Sequence, residues 1–201
     1  MSQERSLRNC GIIFTSGQFF DLSEPDGMVY SAAFPMDGKQ LKEIMDGFDK
    51  HGLCIKEPCG YLQDGDLRVP FTSLTVLDDF LNHIDTITEN GSGEVSIEKI
   101  RASLELERCG SVDEARHVVD CIDDFDFIVG VSDCRELGEY TLRQLVPGPV
   151  YAQISGVLDA EQYGRDYIDF NDYRCGFVST GFVERSETYR PLYELQQEQT
   201  M

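Results

Sequence analysis

DAEQYGRDYIDF, residues 159–170, is followed closely along the chain by GFVSTGFVE, residues 176–184. In the first stretch Tyr163, Tyr167 and Phe170 recur at intervals of four and three residues, which places them on one face of an α-helix. The second stretch is rich in Phe, Val and Thr, a composition typical of a β-strand. Together the two stretches predict a helix followed by a strand, and therefore an α+β fold in this part of the chain.

The chain of 201 residues contains 37 acidic and 17 basic residues, a formal net charge of −20. Such a charge repels nucleic acid and anionic membrane surfaces, and it attracts basic partners. Hydrophobic residues make up 41% of the sequence, which is enough for packed cores and argues against a disordered acidic chain. The composition predicts a folded protein that binds basic surfaces and makes no direct contact with nucleic acid or membrane.

Working outward from the opening stretches, the residue patterns predict three small consecutive domains. They are an N-terminal α+β domain over residues 1–72, an all-helical domain over residues 73–122, and a C-terminal α+β domain over residues 123–201 that ends in an extension. The net charges of the three are −4, −7 and −9, so the last two carry −16 of the total. Any electrostatic function is therefore expected in residues 73–201.

Local signals place the elements within these domains. In the first domain, apolar runs predict two paired strands over residues 10–15 and 28–34, and periodicity predicts a helix from Lys39 to about Lys50. In the second, Ser73, Ser96 and Ser111 are predicted to begin three helices, and Gly110 to end the middle one. In the third, the patterns predict strands at 125–131 and 177–183, and a helix that begins after Ser132 and ends near Leu145.

Cysteine usage indicates a reducing compartment. The seven cysteines are odd in number and irregularly spaced, and the N-terminal residues lack the pattern of a secretory signal. No stretch approaches the roughly 18 apolar residues of a membrane span. We therefore expect a cytoplasmic protein with free, mostly buried thiols.

Signals for catalysis and cofactor binding are weak. The three histidines fall on three different predicted helices, and Cys54 and Cys59 are five residues apart, whereas structural zinc ligands are typically separated by two to four residues. Glycines form neither a dinucleotide loop nor a phosphate-binding loop. The sequence predicts a protein that is not an enzyme and has no metal site and no cofactor. A small hydrolase that uses Cys and His is a less favoured alternative, because such a pair would have to be assembled by the fold.

Acidic side chains recur around the apolar stripes of the predicted helices. Residues three or four apart on a helix lie about 5–6 Å from each other, and B-form DNA carries about one charge per 1.7 Å of its axis. These carboxylates could therefore match the charge density of a DNA duplex, although a solvated surface is the ordinary role of acidic residues. The twelve candidates for contact with a basic partner are Asp78, Asp79, Asp85, Glu98, Glu105, Asp113, Asp120, Asp123, Asp124, Asp126, Glu136 and Glu139.

The combination of Tyr-Gly-Arg-Asp at 163–166 with Phe-Val-Ser-Thr at 177–180 resembles the C-terminal signature of the ArdA antirestriction family. Three upstream segments resemble other parts of that family: Ala-Phe-Pro-Met-Asp at 33–37, Val-Pro-Phe-Thr-Ser at 69–73 and Leu-Gly-Glu at 137–139. The chain departs from the family in having no Trp, and residues 186–201 look like an extension.

This resemblance implies an elongated three-domain protein that mimics B-form DNA. It also implies the partners, which are the modification and specificity subunits of type I restriction-modification enzymes. A homodimer formed through the C-terminal domain is implied as well. Aromatic residues are enriched at such interfaces, although burial in the core of that domain is their more ordinary role. The aromatic residues considered for the dimer interface are Tyr163, Tyr167, Phe170, Phe177 and Phe182.

One other class of function fits the charge equally well without the resemblance. An acidic regulator of another basic DNA-binding protein, or an immunity or antitoxin factor, would need the same excess of carboxylates. The restriction systems that are targeted, the inhibition of modification as well as cleavage, and the role of residues 186–201 are left open by the sequence.

Overall fold

The computed structural model describes residues 7, 11–15, 29–33, 38–50, 59–90, 96–171 and 174–199. Among them the chain forms eight α-helices and seven β-strands arranged in two antiparallel sheets, which confirms a mixed α+β fold. Residues 10, 28 and 34 of the two predicted N-terminal strands lie outside these ranges.

The chain divides into two compact units rather than three domains. The first unit consists of residues up to Ile122 together with those from Arg190 onward, and the second unit consists of Asp123–Tyr189. The predicted boundary after residue 122 coincides with the division. The predicted boundary after residue 72 does not, because the strand that ends at Phe71 packs against the helices that follow it.

The first unit contains a four-stranded sheet with the order β2-β1-β3-β4. Strands β3 and β4 form a hairpin with a two-residue turn, in which Gly65 has a φ of 60°. Glycine in a left-handed conformation at the first turn position suits the twist of a tight hairpin. The elements of this part are β1 (Gly11–Thr15), β2 (Val29–Ala33), α1 (Gly38–Lys50), β3 (Cys59–Asp64) and β4 (Leu67–Phe71).

Three helices pack against β4 and against each other in the same unit. As predicted, Ser96 and Ser111 cap their helices, since each hydroxyl accepts a hydrogen bond from a backbone N–H three residues later. The middle helix ends earlier than predicted, because Arg108 rather than Gly110 adopts the left-handed conformation that terminates it. The helices are α2 (Leu74–Asn90), α3 (Ile97–Glu107) and α4 (Val112–Asp120), and a later helix of this unit, α8 (Leu192–Gln199), contacts α4.

The second unit combines a three-stranded sheet of order β5-β7-β6 with three helices. Its core contains Val131, Leu137, Cys175 and Phe182, against which the side chains of α7 pack. The elements are β5 (Phe125–Val129), α5 (Cys134–Leu145), α6 (Gly148–Ile154), α7 (Ala160–Asn171), β6 (Cys175–Val178) and β7 (Gly181–Arg185).

Several local predictions for this unit are corrected by the structure. The single strand predicted at 177–183 is a hairpin, in which Ser179 and Thr180 form the turn between β6 and β7. The cap of α5 is Asp133 instead of Ser132, because the Asp133 carboxylate accepts the backbone N–H of Glu136 at 2.9 Å. Helix α6 begins directly after Pro147 and was not predicted as a separate element.

Helices α5 and α7 cross at two glycines, Gly138 and Gly164. A Cβ atom added at Gly138 would lie 1.8 Å from the carbonyl oxygen of Ala160, and one added at Gly164 would lie 1.8 Å from the carbonyl oxygen of Cys134. No side chain fits at either position, so the two backbones approach as closely as only glycine allows. The glycines of the Leu-Gly-Glu and Tyr-Gly-Arg-Asp segments therefore have a structural role.

Candidate acidic interaction surface

The twelve carboxylates expected from the sequence occupy different elements of the two units, and none of them is buried. Those of the first unit lie on α2, α3 and α4, and those of the second lie on a short 3-10 turn over residues 122–124, on β5 and on α5. Seven are exposed and five are half-buried. The exposed residues are Asp79, Glu98, Asp113, Asp120, Asp123, Asp126 and Glu136, and the half-buried ones are Asp78, Asp85, Glu105, Asp124 and Glu139.

Glu139 is paired with two arginines. Its carboxylate lies 3.3 Å from Nε of Arg135 and 3.5 Å from Nη2 of Arg143, both on the same face of α5. Asp120 is paired with His83 of α2 at 2.6 Å. A carboxylate that already has a cationic partner offers less charge to a basic protein, so Glu139 is a weak candidate for partner contact.

Two further candidates are occupied by hydrogen bonds that shape the backbone. The Glu136 carboxylate accepts both the backbone N–H and the hydroxyl of Ser132 at 2.8 Å. Asp124 accepts the hydroxyls of Ser186 and Thr188 at 3.0 and 3.1 Å. These groups keep their negative charge, because their partners are neutral.

Five of the twelve have neither an ion pair nor a side-chain hydrogen bond within the described ranges. Two of them, Glu98 and Asp113, lie in the first turns of α3 and α4, where the positive end of the helix dipole stabilises a carboxylate. The five are Asp79, Glu98, Asp113, Asp123 and Asp126.

The second unit carries acidic residues that the sequence analysis did not select. Six of these are exposed: Asp133, Asp159, Glu161, Asp166, Asp169 and Glu187. Asp133 and Asp159 cap α5 and α7, and the aspartate-before-helix pattern could have identified both. Residues 123–189 hold 13 acidic and 5 basic residues, a net charge of −8.

All five arginines of the second unit already have partners. Besides the two that bind Glu139, Arg165 pairs with Glu161, Arg174 pairs with Glu187, and Arg185 lies over the ring of Tyr189. The hydrogen bond from Arg165 to Glu161 raises the pKa of the guanidinium above its ordinary value. Four of these arginines are therefore already paired with a carboxylate of the same unit.

The five aromatic residues considered for the dimer interface separate into different environments. Phe182 is fully buried in the core of its own unit, so its side chain is not available for contact with a second copy, and the ordinary role as a core residue is correct for it. Tyr163 and Tyr167 are half-buried, whereas Phe177 is 37% exposed and packs edge to face on Phe182. Phe170 is 85% exposed.

The predicted aromatic face of α7 is also corrected. The buried side of α7 contains Gly164 and Asn171, with Tyr167 and Ile168 half-buried, while Phe170 points away from the core. The aromatic spacing missed this orientation because the closest contact of the helix is made by a residue without a side chain.

Tyr167 connects α7 to the sheet. Its hydroxyl donates a short hydrogen bond to the carboxylate of Glu184 on β7. Burial, followed by the hydrogen bond to this carboxylate, raises the pKa of Tyr167 well above its ordinary value. The hydroxyl therefore stays protonated and acts as a donor.

Cys121 and His117, which lie close together among the described residues, do not form a catalytic pair. Cys121 Sγ lies 4.0 Å from Nε2 of His117, but the same nitrogen lies 2.8 Å from the carbonyl oxygen of Arg190. A carbonyl only accepts, so Nε2 carries a proton and is not free to take the proton of the thiol. A Cys–His nucleophile needs that acceptor, so this pair gives no support to the hydrolase alternative.

The other described thiols and acidic groups show no metal-binding arrangement. Cys59, Cys109, Cys121, Cys134 and Cys175 form no disulfide bond, and within the described ranges no three His, Cys, Asp or Glu side chains converge as metal ligands. Burial raises the pKa of Cys109 to about 12, with Glu107 and Glu114 contributing. Burial also raises the pKa of Cys59.

Comparison with known proteins gives no assignment: no family model matches the chain, and no curated protein matches it significantly. Across the described part of the chain, no helix has both the length and the apolar character required to cross a membrane.

Proposed function

We propose that this protein is an antirestriction protein of the ArdA type, an acidic mimic of B-form DNA that occupies the DNA-binding groove of type I restriction-modification enzymes. The observation that carries the proposal is the set of exposed carboxylates without a cationic partner. They include Asp79, Glu98, Asp113, Asp123 and Asp126, in a chain with a net charge of −20. The resemblance of Tyr-Gly-Arg-Asp and Phe-Val-Ser-Thr to the ArdA signature adds the identity of the target.

Such a mimic gains affinity in the way that DNA does. Lysines and arginines that line a DNA groove release bound counterions when they meet phosphates, and carboxylates can replace those phosphates. Contacts of the phosphate type position a duplex without reading its sequence. One acidic protein can therefore block enzymes that recognise different DNA sequences.

The proposal includes three further statements, on shape, on oligomeric state and on cellular location. The domains are arranged as an elongated rod, two copies associate as a homodimer, and the protein acts in the cytoplasm. A dimer would double the net charge and extend the row of carboxylates along the enzyme's groove. Small-angle X-ray scattering of the purified protein is expected to give an elongated dimer, and a round monomer would contradict this part of the proposal.

The decisive experiment is capture of purified type I modification and specificity subunits by the full chain, together with inhibition of ATP-dependent cleavage. Binding and inhibition are expected, and both should weaken as salt rises from low to moderate concentration. Inhibition that is independent of salt would contradict mimicry. If the protein instead captured another basic DNA-binding protein and left the type I enzyme active, the result would support the alternative function, an acidic regulatory or immunity protein.

A further inference from the structure

The second unit contains one groove among its described residues that combines size with convergent cationic groups. Its volume is about 590 Å³, which lies within the range of small-molecule sites. It is lined by Arg135, Glu139 and Arg143 of α5, by Tyr151 of α6, and by residues 155–161, which lead into α7. Most of this lining is polar, which favours a charged ligand over an apolar one.

Two guanidinium groups already hold one carboxylate at this groove. Arg135 Nε and Arg143 Nη2 lie 3.3 and 3.5 Å from the two oxygens of Glu139. A guanidinium has five N–H donors, so each arginine uses only one of them for Glu139. Arg143 also lies over the ring of Tyr151, with its central carbon 5.6 Å from the ring centroid, which restrains its orientation. The unused donors of both side chains are therefore available beside the groove.

The acidic residues of the lining already have local partners. The Asp159 carboxylate accepts the backbone N–H of Gln162 at 3.0 Å, and Glu161 is paired with Arg165. Counting Arg165, three cations and three anions surround the groove, in a chain whose net charge is −20. Helix α7 begins here, and the positive end of its dipole adds to the two arginines. The charges around the groove sum to zero, so a small anion is not repelled there. A polyanion such as nucleic acid is repelled by the net charge of the whole chain.

We propose that this groove binds a small molecule through an oxyanion, either a phosphate or a carboxylate, that is held between Arg135 and Arg143. Arginine suits this role because its planar donors match both oxyanions in pairs. Glu139 has two effects in the site: it orients the guanidiniums, and it competes with the ligand for their donors. The proposal is independent of mimicry, because it concerns a face of α5 whose charges are already compensated.

The test is a titration of the full chain, followed by amide NMR, with inorganic phosphate in one series and acetate in another, at constant ionic strength. Saturable shifts are expected at the amides of residues 135–143 and 155–161, and the series that saturates at the lower concentration identifies the oxyanion. Shifts that stay linear in both series, or that spread over the surface, would overturn the proposal.

Three variants make the test specific. Arg135→Gln with Arg143→Gln should weaken binding at least tenfold, since two charge-assisted contacts are lost. Lys42→Gln with Lys50→Gln removes the same charge from exposed positions of α1 and should leave binding unchanged. Glu139→Gln removes the competing carboxylate and should tighten binding several-fold. Equal weakening by the two double variants, or unchanged binding in the arginine double variant, would show that the arginines form no site.

Discussion

Where α5 and α7 cross, one added methyl group would meet a backbone oxygen at 1.8 Å, whereas several exposed carboxylates have neither an ion pair nor a side-chain hydrogen bond within the described ranges. The crossing depends on two particular glycines, and no other residue type replaces them. The acidic surface depends on the sum of many similar charges, each of which contributes little. Gly138 and Gly164 therefore set how closely α5 and α7 approach, and the carboxylates set the charge of the surface.

The largest effect is expected at the crossing. Gly164→Ala should lower the free energy of unfolding by about 3 kcal/mol or more, because the helices have to separate to admit the methyl group. The measurement is urea denaturation followed by circular dichroism. Gly38→Ala at the start of α1 is the matched control, since a Cβ there meets nothing within 4 Å and should change the free energy of unfolding by no more than about 1 kcal/mol. Equal stability of Gly164→Ala and the unmodified chain would refute the close crossing.

A buried ionisable group in the first unit makes the stability of the fold depend on pH in the alkaline range, whereas an exposed carboxylate does not titrate there. The thiol of Cys109 has a pKa raised from 9.0 to about 12, so folding favours its protonated form. This stabilisation is complete below pH 9 and is lost as the pH rises towards 12. Between pH 9 and 10.5 the free energy of unfolding should fall more steeply than in Cys109→Ala, by up to about 1.4 kcal/mol per pH unit. Parallel pH profiles for the two proteins would contradict this prediction.

The surface should respond to charge that is not already neutralised. Replacing Asp79, Glu98 and Asp123 by their amides should weaken inhibition of a type I enzyme about tenfold, if each contributes about 0.5 kcal/mol. The control replaces three carboxylates that are paired with arginine, and it removes the same net charge; these are Glu139, Glu161 and Glu187. A loss of the same size in the control would mean that only total charge matters, and no loss in the first set would argue against contact through these positions.

The smallest effect is expected at the link between α7 and the sheet. Tyr167→Phe removes the hydroxyl that donates to Glu184 and should cost about 1 kcal/mol of unfolding free energy. The half-buried Glu184 can then bind water, which limits the loss. Urea denaturation measures it, and Glu184→Gln is a useful companion because it keeps an acceptor. A loss above about 3 kcal/mol would show that this bond belongs to the core and not to its edge.

The sequence predicts those parts of this fold that depend on neighbours along the chain. The spacing of apolar residues predicts helix α1, and the structure confirms it. The serine that precedes each of the helices α3 and α4 predicts the caps at Ser96 and Ser111, which are also confirmed. The ion pairs of Glu139 could also be predicted from the sequence, because Arg135 and Arg143 lie four residues before and after it.

Contacts between residues that are far apart in the sequence could not be predicted in the same way. Gly138 and Gly164 are 26 residues apart, and a glycine gives no periodic signal of burial, so the aromatic spacing directed attention to Phe170 instead. The hairpin of β6 and β7 was missed because Ser179 and Thr180 lack the Gly, Asn or Asp that marks a tight turn. Packing of β4 on the later helices joined two predicted domains into one unit.

The chain leaves the first unit after Ile122 and returns to it at Arg190, where His117 donates to the Arg190 carbonyl and α8 meets α4. On the ribosome, all of Asp123–Tyr189 emerges before α8 does. The inserted unit has its own core and sheet, so it can reach its native state while the unit that surrounds it in the chain is still unfinished. Translation therefore allows the inserted unit, which carries −8 of the net charge of −20, to fold before the first unit is complete.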